Sequence, residues 1–219
     1  MKIPLSRRLE AACRFIHPGD RVADVGCDHG YLGIHLLKNN IASFVYASDI
    51  NEGPLGAAVF NAEKFGVRDK MQFYLSDGVK NIPREFDVMV CCGMGGDTMI
   101  SILEASSWLK DSKYRLILQC QSKRPELRRY LSENGWRIQD EIVLRDGKFL
   151  YTVMEVVYGG GVGSALGNFL WAITFGWMFA LSYVLAGIFN CVTIIGIPFG
   201  MQAFKLAKLA WAPFGAEIL

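Results

Sequence analysis

The sequence predicts an α/β fold with a mostly parallel sheet, followed by an α-helical membrane hairpin. Three observations predict it. Strand-like and helix-like stretches alternate five times between Arg21 and Asn134, the pattern of a parallel sheet with helices on both faces. Two further strand-like stretches then meet at Arg145-Asp146-Gly147, a hairpin signal. Finally, the 49 residues from Val156 through Phe204 contain no Asp, Glu, Lys or Arg. Hydrocarbon penalises each central charge heavily, so a long charge-free run marks membrane insertion.

The elements follow in order. Apolar residues Leu5, Leu9, Ala12, Cys13 and Ile16 recur at helical spacing over Pro4–Ile16. His17-Pro18-Gly19-Asp20 is a turn, and Arg21–Gly26 a short buried strand. A helix is expected over Gly30–Asn40, a strand over Phe44–Ser48 closed by Asp49, and a helix over Leu55–Phe65. Met71–Leu75 reads as a strand ending before Ser76-Asp77-Gly78. Phe86–Cys92 is an apolar strand ending at Gly93-Met94-Gly95-Gly96, with Asp97 as cap of a helix reaching Leu103. Tyr114–Cys120 is a strand and Pro125–Asn134 a helix stopped by Asn134-Gly135. Trp136–Leu144 and Lys148–Val157 form the closing hairpin. The domains expected are 1–158, a Gly-rich linker at 159–164, and 165–219.

Composition narrows the function. The first 158 residues hold 21 Lys/Arg and 20 Asp/Glu, too balanced for strong non-specific nucleic-acid binding. Six cysteines show no CxxC and no metal-ligand spacing with His, so reduced thiols and no metal are expected. The chain opens Met-Lys-Ile-Pro without a secretory pattern.

The chemistry-bearing residues gather at the carboxyl ends of the first four strands. Asp24-Val-Gly26-Cys-Asp28-His29-Gly30 joins the first strand to its helix, where small residues let backbone approach a ligand. Asp49 stands where an acid can accept ribose hydroxyls, and Asp77-Gly78 where a side chain can reach an adenine edge. Asp28 occupies the middle glycine position of a dinucleotide loop. A carboxylate there repels a pyrophosphate and tolerates a sulfonium or an ammonium, so S-adenosylmethionine fits better than NAD. Glycines at 93–96 leave a flat slot for a flipped base.

Asp24-Val-Gly-Cys-Asp-His-Gly-Tyr-Leu32, Ser76-Asp-Gly78, Gly93-Met-Gly-Gly96, Leu116-Ile-Leu-Gln119 and Leu131-Ser-Glu-Asn-Gly-Trp136 together resemble the bacterial tRNA adenine-N1 methyltransferase family, over about residues 3–157. The resemblance implies a class I, Rossmann-like S-adenosylmethionine-dependent methyltransferase fold acting on adenosine at position 22 of tRNA. It implies cofactor binding around Asp24, Gly26, Asp28, His29, Asp49, Asp77 and Gly78, and a methyl-transfer pocket at Asp28, Tyr31, Gly93 and Met94. Asp28 is the candidate for stabilising the cationic product base; His29 reads as a hydrogen-bonded loop residue. Arg7-Arg8, Lys123-Arg124 and Arg128-Arg129 are the candidate phosphate contacts. The family's helical, tRNA-gripping second domain is replaced here by the Gly-rich linker and the uncharged run.

That run resembles a second family. Leu166-Gly-Asn-Phe-Leu-Trp171, Thr193-Ile-Ile-Gly-Ile-Pro-Phe-Gly200, Phe204-Lys-Leu-Ala207 and Pro213-Phe-Gly215 are similar to the YccF-type inner-membrane component domain. A helix through Ile188 is long enough to span, and Trp171 and Trp177 suit an interface. The glycines and Pro198 argue against a second straight helix and for a broken or re-entrant segment. Lys205 and Lys208 favour a cytoplasmic carboxyl end. Bilayer contact over residues 165–204 and a soluble domain on the cytoplasmic face of the inner membrane are therefore expected. Three readings stand: a membrane-tethered tRNA methyltransferase, a membrane component with a non-catalytic S-adenosylmethionine sensor, and an accidental fusion.

Overall fold

The computed structural model describes residues 3–159, 169–192 and 196–211. Most of the expected linker (160–164), Leu166-Gly-Asn168, Thr193-Ile-Ile195 and Pro213-Phe-Gly215 lie outside the described residues, as does the side chain of Lys208. The chain divides into two compact units, Met1–Gly159 and Gly160–Leu219.

In the first unit, helix α1 (Arg7–Cys13) precedes β1 (Asp20–Val25), α2 (Tyr31–Lys38), β2 (Ala42–Asp49), α3 (Glu52–Lys64) and β3 (Met71–Leu75). Then come β4 (Val88–Gly95), α4 (Gly96–Ala105), β5 (Arg115–Ser122), α5 (Arg124–Glu133), β6 (Trp136–Asp146) and β7 (Phe149–Tyr158). The strands form one sheet in the order β3-β2-β1-β4-β5-β7-β6. β1 to β5 pair in parallel, while β7 pairs antiparallel with both β5 and β6. The hairpin turn carries Gly147 at φ 61°, which lets two strands reverse in two residues. The expected α/β class and the closing hairpin are both present.

Two apolar layers cover the sheet. One packs Ile34, Leu36, Ala58 and Val45 with α1 on one face; the other packs Met89, Leu103, Leu116 and Leu127 under α4 and α5. Each such fully buried aliphatic side chain contributes roughly 1.5–3 kcal/mol. Helix α1 is shorter than the expected Pro4–Ile16, because the chain leaves helical geometry after Arg14 to reach β1. Asp97 is not the cap of α4. Gly95 holds that position and Asp97 lies in the first turn, where it pairs with Lys123.

The second unit packs two helices. α6 (Phe169–Cys191) has 23 residues and contains an 18-residue stretch with a mean hydropathy of 1.8. It includes a π-helical stretch at Ala172–Gly176. α7 (Ile197–Trp211) is a regular helix of 15 residues. This corrects the expectation of a broken segment. Pro198 falls in the first turn, where the missing N–H costs no helical bond. Gly200 lies where a Cβ would sit 2.3 Å from Cys191 Sγ and 2.8 Å from the Gly187 carbonyl. The glycines therefore serve close helix contact. Ala180, Gly187, Ala203 and Ala207 are also buried, while Phe169, Ile173, Phe189 and Phe199 are exposed. Small residues inside and large apolar residues outside is the arrangement of helices solvated by lipid.

At the amino end of the main sheet, one largely buried guanidinium ties three elements together. Arg115 of β5 meets Asp20 of β1 at 2.5 Å and Glu155 of β7 at 3.0 Å, and donates to the Phe15 carbonyl at 2.8 Å. Asp20 also accepts the His17 N–H at 2.7 Å. The Arg115 side chain is only 15% exposed. Removing one partner of such a cluster leaves two poorly solvated carboxylates. Arg115→Leu is therefore expected to lower the unfolding free energy by about 3 kcal/mol, read by urea titration in mild detergent. A loss below 1 kcal/mol would count the cluster as an ordinary surface pairing.

Candidate active site

The loop after β1 is held by the backbone of β2. Gly26 and Cys27 N–H groups donate to the Ser48 carbonyl at 2.8 and 2.9 Å. Gly26 has φ 71°, and a Cβ there would meet Met94 Cε at 2.3 Å. Asp28 follows at φ 51°, in left-handed geometry that Asp tolerates better than most residues. Its N–H donates to Asp49 Oδ2 at 3.3 Å, and Asn51 N–H donates to Asp49 Oδ1 at 3.0 Å. Ser48 Oγ donates to the Gly78 carbonyl at 3.2 Å. Three successive strand ends are thereby tied into one unit, although their residues lie far apart in the chain.

A cleft of about 120 Å³ opens there, lined by Arg8, Leu9, Asp24, Gly26, Cys27, Asp28, His29, Tyr31, Leu32, Cys92 and Gly93. Asp24 is buried, and its Oδ2 has no hydrogen-bond partner among the described residues. Burial is the main cause that pushes its pKa up to about 7; the nearby Asp49 charge adds to the rise and the Gly33 N–H opposes it. Asp28, by contrast, is exposed at the rim beside His29, 3.7 Å away. The His29 carbonyl accepts the Asn61 side chain at 3.0 Å, and its ring lies 5.8 Å from that of Tyr31. His29 is thus a loop residue anchored through its backbone.

Gly93 enters from β4, and Met94 turns behind the site. Met94 Sδ lies 3.4 Å from Cys91 Sγ, with the methyl end against Gly26, so its side chain supports the loop from below. Of the expected cofactor residues, the fold brings Asp24, Gly26, Asp28 and His29 to the cleft. Asp49 stands one hydrogen bond behind it, and Gly78 two, through Ser48. Asp77 remains at the surface, paired with Lys80.

Sequence reasoning did not place Arg8, Leu9, Cys27 or Cys92 on the cleft wall. Leu9 and Cys92 carry ordinary apolar periodicity, so no sequence signal marked them. All six cysteines are free. Burial pushes the Cys13 and Cys91 thiols up to about 12, which keeps them protonated and inert. No His/Cys/Asp/Glu cluster fit for a metal exists among the described residues.

The basic candidates divide. Lys123 pairs with Asp97 and Arg128 with Glu141, whereas Arg124 and Arg129 form no ion pair among the described residues. Arg7 donates to the Arg145 carbonyl at 3.2 Å, and Arg8 lies over the Tyr151 ring.

A seven-stranded sheet of this order, with acids at the ends of β1 and β2, defines a Rossmann-like class I methyltransferase. Residues 5–154 match the family described as methyltransferase domain, and residues 166–216 match the inner membrane component domain. The tRNA (adenine(22)-N(1))-methyltransferase of Bacillus subtilis is 32% identical over 159 residues, which are 72% of this chain and 67% of that protein. The chain belongs to this methyltransferase family. The solved structure of the B. subtilis m1A22 tRNA methyltransferase superposes with a TM-score of 0.69 at 25% identity, covering 96% of this chain and all (100%) of that one. The Streptococcus pneumoniae protein Sp1610, solved in complex with S-adenosyl-L-methionine, superposes with a TM-score of 0.67 at 26% identity, covering 94% and 99%. The inner membrane protein YccF of Escherichia coli is 40% identical over 57 residues, 26% of this chain and 38% of that protein.

The Asp24 pKa has a thermodynamic consequence. The unfolded carboxyl ionises near 3.8 and the folded one near 7. Between these values the unfolded chain binds fewer protons, so stability falls as pH rises from about 4 to about 7 and then levels off. Asp24→Asn removes this fall. Urea titrations without ligand are expected to favour the variant at pH 8 by roughly 2–4 kcal/mol relative to its standing at pH 4.

Proposed function

We propose that the first unit transfers a methyl group from S-adenosylmethionine to N1 of an adenine in tRNA, and that the second unit tethers it to the cytoplasmic face of the inner membrane. The observation that carries the reading is the buried Asp24 carboxylate, whose unpartnered Oδ2 belongs to a residue on the cleft wall. A buried acceptor of that kind calls for a cationic or hydrogen-bonding ligand.

The residues present fit the cofactor. Asp24 suits the ammonium of its amino-acid end. Asp49 keeps acceptor capacity for ribose hydroxyls after taking two backbone N–H groups. Asp77 reaches an adenine edge once its exposed pairing with Lys80 opens, and that pairing is worth little at the surface. S-adenosylmethionine, when bound, supplies an electrophilic methyl carbon on a cationic sulfur.

The chain's own task is then positioning. Gly93 and Tyr31 hold the adenine so that the N1 lone pair faces the methyl carbon in line, which is worth much of the acceleration. The alkylated base is cationic. Asp28, at the rim of the cleft, stabilises that charge and accepts the exocyclic amine. No residue has to remove a proton from N1, in keeping with His29 acting only in the loop. Arg7, Arg8, Arg124 and Arg129 meet phosphates, and Lys123 and Arg128 join them by exchanging their carboxylate partners for phosphate.

Three features support the tether: the match to the inner membrane component domain, the 23-residue apolar helix and the exposed large side chains of α6 and α7. Lys205 beyond the apolar run favours a cytoplasmic end.

The full chain, purified in detergent and given unmodified tRNA with labelled cofactor, is expected to deposit label as 1-methyladenosine. Asp28→Asn is expected to lower kcat about 10- to 100-fold with cofactor Kd within twofold. Cofactor binding without transfer to any tRNA would replace this reading with that of a sensor. In cells, the chain is expected to stay with membranes through alkaline carbonate washing; release into the wash would remove the tether.

A further inference from the structure

One buried polar side chain has no part in the site as described so far. Gln119 of β5 is fully buried. Its Oε1 accepts the Gly93 N–H at 3.1 Å, and its Nε2 donates to the Cys120 carbonyl at 3.1 Å. Between β4 and β5, Cys92 pairs with Gln119 and Met94 with Cys120, so Gly93 is an extra residue without a partner in register. This is a β-bulge, and Gly93 takes φ 85° to make it. A bulged residue loses its ladder bond. The Gln119 carboxamide supplies the missing acceptor from the neighbouring strand.

The consequence reaches the cleft. A trans peptide is planar, so fixing the Gly93 N–H toward Gln119 fixes the Cys92 carbonyl on the opposite edge, away from β5. β1 pairs with β4 only as far as Cys91. Beyond that point, the edge of β4 away from β5 no longer faces a strand, and both Cys92 and Gly93 line the cleft.

We propose that Gln119 is a positioning residue for the methyl-acceptor base. It locks the Gly93 bulge, and the locked peptide presents the Cys92 carbonyl as an acceptor for an N–H of that base. This rests on the methyltransferase reading above. The cofactor contacts proposed at Asp24 and Asp49 belong to β1 and β2 rather than to the bulge, so the effect falls on the base being methylated.

Two variants test it. Gln119→Met keeps an apolar chain of similar length and removes the acceptor. The Gly93 amide is then expected to exchange with deuterium at least tenfold faster, kcat to fall at least tenfold, and cofactor Kd to stay within twofold, which also reports the fold. Gln119→Glu keeps an acceptor for the Gly93 N–H in either protonation state, so its Gly93 exchange rate and kcat are expected to stay within about threefold of wild type, with cofactor Kd unchanged. Wild-type transfer with Gln119→Met within twofold of it, or a Gln119→Glu chain that protects the Gly93 amide yet transfers as slowly as Gln119→Met, overturns the proposal alone. A wild-type chain that methylates no tRNA overturns the reading and the proposal together, whatever the Gly93 amide shows.

Discussion

The site depends on a single backbone arrangement: the Ser48 carbonyl accepts the N–H groups of both Gly26 and Cys27. These two bonds bend the loop after β1 over the end of β2. The bend brings the Asp28 N–H to Asp49 and leaves Asp24 buried below. Gly26 permits it because its φ of 71° costs a residue without Cβ little, and because a side chain there would occupy the place of Met94. Every further feature is downstream. Asp24 is hard to ionise because the loop shuts water out, and Asp28 stands exposed because the loop has turned it outward.

The same end of the sheet collects Asp24, Asp28, Asp49 and Asp77, while Arg115 holds two carboxylates at the opposite end. A cation is favoured at the carboxyl end and a phosphate is not. On the proposed reading, the cofactor and the phosphates of a nucleic acid therefore meet different surfaces of one small unit. The basic residues available for phosphate sit on α1 and α5, with Arg8 both over Tyr151 and on the cleft wall. Arg8 is thus placed at the seam between the two surfaces.

Much of this was legible in the sequence, and what was not has a physical reason. The alternation of strands and helices, the hairpin and the acids at strand ends are local signals, since each depends on residues within a few positions. Asp24 and Gly26 could be read from one heptapeptide. Gln119 could not be read for its role, because that role exists only once β4 and β5 pair with a one-residue slip. Asp77 was assigned to the site from its place after β3. Its pairing with Lys80 follows from side-chain reach across three residues, a competition that strand position does not reveal. Pro198 and Gly200 were read as breakers by the rules of isolated helices. In α7 the proline falls where it is harmless, and the glycine is explained by a partner helix that sequence spacing does not show.

The two units obey opposite packing logic, and the difference bears on function. In the first, large side chains such as Tyr46, Met89 and Leu116 are inside and most charges are outside, which water enforces through apolar burial. In the second, alanine and glycine are inside and Phe169, Phe189 and Phe199 face out, because lipid gives large apolar residues no reason to hide and close backbone contact must supply the cohesion. A chain with one core would have to compromise between these demands. The fall to zero charge between Val156 and Phe204 shows that the sequence makes no such compromise. The candidate catalytic residues all belong to the unit organised by water, so on the proposed reading a lipid anchor changes where the chemistry occurs without altering any group assigned to it.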